Sequence, residues 1–171
     1  MRFLLLSATV LLAGCHAAPK AEPGSHTVRG MNDLVRLERC ELDALYRQCE
    51  VGAPPCGKLD GRAIINAGSA MTVPTSRIVG LLWWGKFIDG DTMRNRVLGL
   101  RIVPARIYLG ESWVDGKPAL IMDYAGTTKL FADFRDEVRE VSPGLYLGVT
   151  HQRTSAGPEF KTFFTLDQRK K

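Results

Sequence analysis

The 171-residue sequence predicts a mainly β chain of the α+β class. The expected architecture is an antiparallel β-meander that closes into a barrel or a strongly curved sheet, with an N-terminal helix and one or two inserted helices. Three observations lead there. Short β-like runs recur between residues 57 and 168, punctuated by Gly-Asp, Asp-Gly and Pro-Gly turn signals. A single segment before them, 31–49, has a clear helical period. And the stretch from 31 to the C-terminus is long enough for one domain with a full core.

The elements follow in chain order. In 31–49, Leu34, Leu42, Leu45, Tyr46 and Cys49 share one face at a 3.6 period, with Arg and Glu opposite and Asn32 as candidate N-cap. Residues 51–57 carry Gly, Pro-Pro and Gly and read as loop; 58–67 suits a first strand. The apolar run 76–84 reads as a short buried helix between Pro74 and Gly85. Strands at 85–89 and 92–100 are joined by Gly90-Asp91, a hairpin signal. A strand at 106–113 follows, then the Asp115-Gly116 turn and the strongly β-like 118–124. Residues 129–141 revert to a helical period, with Phe131, Phe134 and Val138 on one side, until Pro143-Gly144. Strands at 145–153 and 160–168 close the chain, giving seven in all. Phe163 and Phe164 are adjacent, so in a strand they face opposite sides. Gly148 marks a close approach by another element, expected to be the inserted helix. Seven strands in one meander must curl or close to remove their edges.

The N-terminus is separate in character. Arg2 is followed by the apolar stretch 3–13, too short for a membrane-spanning helix, which needs about 20 apolar residues, but suited to a signal-peptide core. It ends in Leu12-Ala13-Gly14-Cys15, which resembles the lipobox of bacterial lipoproteins. The resemblance implies removal of residues 1–14 and lipidation of Cys15, with acyl chains that anchor the chain to a membrane. His16 stands where an aspartate tends to retain such proteins in the inner membrane, which implies the outer membrane, facing the periplasm, in a two-membrane host. Residues 15–30 are rich in Ala, Pro, Gly and polar residues and read as a tether. Without Arg2 the side chains number 22 basic against 18 acidic. That mild excess, with no dense basic run before Arg169, gives no nucleic-acid signature.

With Cys15 lipidated, Cys40, Cys49 and Cys56 remain, an odd set that permits one bridge at most. Cys40 and Cys49 on one helix would lie about 13 Å apart, too far to bridge. A Cys49 with Cys56 disulfide across the Pro-Pro loop is favoured, with Cys40 to Cys56 as its rival. No histidine lies near these thiols, and no metal or other cofactor is expected.

A further resemblance covers roughly residues 57–165. It is carried by Trp84-Gly85-Lys86 with Phe87 and Asp89, Asn95-Arg96, Ser112-Trp113 with Asp115-Gly116-Lys117, Asp123-Tyr124, Arg135-Asp136-Glu137 with Arg139, and Pro143-Gly144-Leu145-Tyr146-Leu147-Gly148. In these the chain resembles uncharacterised bacterial proteins with a calycin, or lipocalin-like, barrel. The Gly-x-Trp pair of lipocalins is absent from residues 57–61. The resemblance implies a barrel architecture and points toward an apolar ligand.

Residues with chemistry are few. His16 and His26 fall in the tether, and His151 is expected at the surface near a strand end. Residues 110–114 miss the last glycine of a nucleophile elbow, and no phosphate-loop or HExxH pattern occurs. The ligand-binding candidates are Trp113, Asp123, Tyr124, Arg135 and Tyr146. In one reading Arg135 crosses to Asp123 and, with Tyr124 or Tyr146, recognises a polar headgroup. In the other, an Arg–carboxylate fork fastens a helix to the barrel. Three functions compete: a membrane-anchored module binding a lipid or other small apolar or amphipathic ligand, a structural or interaction lipoprotein with a filled core, and an enzyme acting on an envelope lipid or ester. An interior cavity separates the first and third from the second.

Overall fold

The computed structural model describes residues 28–169. The segment expected as a leader, Cys15 with its expected lipidation, and the expected tether up to residue 27 lie outside the described residues, as do Lys170 and Lys171. Two short helices, α1 (Met31–Leu34) and α2 (Arg39–Gln48), precede β1 (Gly57–Ile64). A third, α3 (Thr72–Leu82), leads into β2 (Trp83–Asp89). Six strands complete the chain: β3 (Thr92–Val97), β4 (Leu100–Glu111), β5 (Pro118–Asp123), β6 (Phe134–Ser142), β7 (Leu145–Thr154) and β8 (Gly157–Asp167).

Each strand pairs antiparallel with its sequence neighbours, and β1 pairs with β8, so the sheet closes. This is the lipocalin-like barrel the sequence predicts. Closure removes both edges. The barrel has two ends. The α3 connection, the β3–β4 turn, the β5–β6 connection and the β7–β8 turn lie at one, the mouth. The β2–β3, β4–β5 and β6–β7 turns and the outer ends of β1 and β8 lie at the other, the base.

Alternation along the strands builds two cores. Inside, Leu59, Ile88, Met93, Leu120, Val138, Tyr146 and Leu166 fill the lower barrel. Outside, α1 and α2 lay Leu34, Leu42 and Tyr46 over Leu145, Leu147, Val149 and Phe163. Phe163 and Phe164 do face opposite ways, one into each core. The base is plugged by residues 49–56: Val51 packs on the inner core, Glu50 bridges to Glu140, and the Ala53 carbonyl accepts the Tyr146 hydroxyl at 3.0 Å.

Several expectations are corrected. The 31–49 helix is broken at 35–38, and Asn32 is not its cap. Asp33 instead accepts the Arg29 and Gly30 N–H groups, and Glu41 accepts the Glu38 N–H. The segment 92–100 is interrupted by the turn Leu98-Gly99, both at positive φ (49° and 83°). Most consequential, 129–141 is not a helix: its second half is β6, the strand that makes eight. Segment 76–84 does hold most of a helix, but not a buried one, since Ile78, Leu81 and Leu82 are exposed. Cys40, Cys49 and Cys56 are all free thiols. The chain does not turn back between Cys49 and Cys56, because it runs across the base and is held there by Gln168, whose amide donates to the Cys56 carbonyl at 2.8 Å. Gly148 is approached not by a helix but by the Phe164 ring, which would collide with any Cβ there.

Candidate functional site

The upper barrel is not filled. A cavity of about 300 Å³ lies beneath the mouth. Val79 of α3, Val97, Val103, Phe131 and Phe134 form its apolar wall, and Trp83 and Phe164 stand edge to face at 6.1 Å on one side. Two backbone irregularities shape it. A bulge between Trp83 and Gly85 accompanies the placing of the Trp83 ring in the cavity wall. Gly85, at φ 112°, fits there because the β1 backbone leaves no room for a side chain. A second irregularity, opposite Arg94 and Asn95, leaves Val103 unpaired at φ 54°, a conformation costly for a β-branched residue.

The cavity floor is polar. Lys86 is buried and donates to Asp136 Oδ2 (2.7 Å), the Tyr124 hydroxyl (3.0 Å) and Asn95 Oδ1 (3.2 Å). The Tyr124 hydroxyl donates to Asp136 at 2.8 Å and accepts from Asn95 at 3.0 Å. Trp83 Nε1 donates to Asn95 at 2.9 Å, and Thr150 to the other Asp136 oxygen at 2.6 Å. All three Lys86 donors are used, and each Asp136 oxygen has a partner, so the network is closed. The ammonium also lies 5.2–5.8 Å from the ring centres of Phe164, Tyr124 and Trp83. Burial alone would pull Lys86 below its ordinary value, but Asp136 and Tyr124 outweigh it and the net shift is upward. Burial pushes the Tyr124 phenol up to about 12. The floor is thus a balanced ion pair beside a neutral phenol. An ion pair of this kind rarely stabilises a fold beyond apolar packing of equal volume.

Of the five predicted ligand residues, Tyr124 alone lines this cavity. Tyr146 points inward but sits lower, at the plugged base, where burial raises its phenol to about 12. Asp123, Arg135 and Trp113 lie on the outer face. Arg135 pairs in register with Asp123, yet the carboxylate binds Arg153 (2.7 Å) and Tyr108 (3.0 Å) instead. The Arg135 guanidinium stacks 4.1 Å from the Trp113 ring centre and donates to the Glu111 carbonyl. The fork that fastens a helix belongs to Arg139: it grips Asp115 at 2.7 and 2.8 Å and donates to the Tyr46 carbonyl at the end of α2.

Beside it, the buried Glu137 accepts from Ser112 and from the Trp113 N–H. His151 is buried rather than at the surface. Its Nδ1 is 3.7 Å from Glu137 without a hydrogen bond, and Arg135 Nε, paired with Glu137 at 3.4 Å, likewise makes no hydrogen bond. His151 opens onto a broad groove of about 770 Å³ under α2, whose Asp43 and Arg47 pair with each other at 2.7 Å. The barrel cavity is the better enclosed of the two spaces. Among the described residues, no group of three or more His, Cys, Asp or Glu side chains is placed to hold a metal ion.

Lys86, Asn95, Asp136, Trp83 and Thr150 were not among the predicted site residues. Lys86 and Ile88 share strand parity, as do Asn95 and Met93, so the alternation marks both polar residues as inward once each strand is placed.

No protein-family model matches the chain, and no curated protein matches it significantly. Among solved structures, it is similar to a protein from Thermomonospora curvata, with a TM-score of 0.52 and 19% sequence identity over 79% of this chain and 90% of that one. That likeness is one of fold, and the cavity must speak for function.

Proposed function

We propose that this is a lipid-anchored lipoprotein of the cell envelope whose barrel holds the apolar part of a small lipid or other amphipathic molecule. The observation that carries the reading is the cavity itself: apolar walls above a charge-balanced polar floor, open toward the mouth. Its 300 Å³ is at the lower end of the range for small-molecule sites. That suits one chain or a compact ring system rather than a two-chain lipid. An apolar group entering it displaces water from apolar walls and leaves the Lys86–Asp136 network intact. A polar head can then stay at the mouth. The lipobox-like end at Cys15 supports the envelope location and supplies such ligands locally, in an outer membrane where the host has one.

Native mass spectrometry of the purified protein, before and after solvent extraction, tests this. A stoichiometric, extractable mass that disappears in an Ala63→Phe variant, whose new ring fills the cavity, is the expected result. Unchanged masses in wild type and variant, with no extractable component, would overturn it.

A further inference from the structure

The mouth carries an unusual surface. Ile78, Leu81 and Leu82 of α3 are 62%, 71% and 56% exposed, and Leu98, Leu100 and Ile102 of the β3–β4 hairpin are 60%, 64% and 42% exposed. They form one patch. The Leu98 N–H donates to the Leu82 carbonyl at 2.8 Å, and Gly99 lies against the Trp84 ring. Contiguous exposed apolar surface of this kind marks an interaction site. Leu98 sharpens the point: a leucine at φ 49° is strained where Asn or Gly would be relaxed. It holds an apolar side chain outward and is more than half exposed.

The charge in the segment that builds the patch is one-sided. Between residues 61 and 110 the acidic residues are Asp89 and Asp91, and both flank the β2–β3 turn at the base. Arg77 and Arg101, in contrast, are exposed beside the patch. Exposed leucines flanked by Arg77 and Arg101, with no carboxylate in α3 or in the β3–β4 turn, fit the interface of an anionic bilayer, where apolar side chains enter and guanidinium groups meet phosphate.

We infer that the mouth of the barrel docks on an anionic lipid membrane through α3 and the β3–β4 hairpin. The inference deepens the proposed function and rests on it for one consequence. Val79, Val97 and Val103, which line the cavity, are interleaved with the docking residues, so a chain leaving the bilayer enters the cavity without crossing water. Reach permits this orientation. Val28 starts at the base, where the Arg29 carbonyl accepts from Arg169. The thirteen peptide links between Cys15 and Val28 span at most about 45 Å. The twelve-residue β4 is about 40 Å long and tilted, so the barrel is shorter than that.

The test uses the full chain in vesicles of phosphatidylethanolamine and phosphatidylglycerol with brominated acyl chains, and in brominated phosphatidylcholine vesicles. The readout is quenching of Trp84, isolated by difference from a Trp84→Phe variant. Quenching in the anionic vesicles, weaker in phosphatidylcholine and lost in a Leu81→Glu, Leu98→Glu, Leu100→Glu variant that still floats with the vesicles, is the expected result. All three positions are exposed, and an unchanged Tm verifies that the variant folds. Wild type that floats with Trp84 unquenched, or equal quenching in the variant, overturns the inference. So does a sedimentation dimer of the wild type that the variant loses, which would assign the face to a second copy. Because ligand mass and Trp84 quenching are separate readouts, failure of the binding reading and failure of the docking inference are distinguishable.

Discussion

Strand β6 carries two ionic networks, one on each face, and they are built differently. Asp136 points inward to Lys86, Tyr124 and Thr150, and every Lys86 donor finds an acceptor. One residue away on either side, Arg135 and Glu137 point outward among Trp113, Ser112 and His151, and there two buried nitrogens have no hydrogen-bond partner. The closed set sits where a ligand would be received; the open set sits where a helix is fastened. A closed floor of this kind would stay fixed if a ligand entered and left the cavity. Outside, apolar packing and the Arg139 fork together hold α2, and the neighbouring polar groups are left less well satisfied.

The largest effect expected from this contrast is inside. Asp136→Ala strands a buried cation and should cost about 3–5 kcal/mol in urea unfolding. A Lys86→Met, Asp136→Leu double variant, which removes both charges, should recover most of that loss. If the double variant were no more stable than the single one, the floor would not behave as an isolated pair. Outside, Arg139→Ala should cost about 2–3 kcal/mol, by loss of charge-assisted bonds to Asp115 and to the end of α2. It should also raise hydrogen exchange in α2 while leaving cavity binding unchanged.

The two faces also respond to opposite ends of the pH scale. Burial, opposed by Glu137 and reinforced by Arg135, holds His151 below its ordinary value. Below a pH of about 6.5 the unfolded chain therefore takes up a proton that the native chain does not, and stability falls as pH drops through that window. His151→Phe should flatten this acid limb. Lys86 is shifted upward, so its contribution is complete below about pH 10.5 and is lost only as pH rises through its folded value. Equal pH profiles for wild type and His151→Phe between pH 5 and pH 7 would remove the outer half of the contrast. The smallest effect is at the mouth. Leu98→Asn relieves left-handed strain and should raise stability by about 1 kcal/mol, while weakening vesicle docking.

Much of the barrel is legible in the sequence because its turns are chemically explicit. Gly90-Asp91, Asp115-Gly116 and Pro143-Gly144 each separate strands where the structure does. β6 is not legible, for a physical reason. Period-two reading needs one apolar face and one polar face, whereas β6 buries charge on both, with Asp136 on one side and Arg135, Glu137 and Arg139 on the other. Phe131, Phe134 and Val138 then mimic a helical stripe. The misplaced strand hid the site, since Asp136 organises Lys86 and Tyr124 only when 134–142 is extended. At Leu98-Gly99 the signal failed differently: leucine occupies a turn position that normally takes Asn or Gly. Tyr124 of the Asp123-Tyr124 pair is recognisable as a ligand-site candidate, and its aspartate alternates to the outside.

The central claim is that the upper barrel is a binding cavity, and titration with cis-parinaric acid tests it most directly. Trp83, in the cavity wall, should transfer energy to a saturable, one-to-one population of the bound fatty acid. The Ala63→Phe variant, folded to the same Tm, should show none. Absence of uptake by the wild type, or equal uptake by both proteins, would contradict the account.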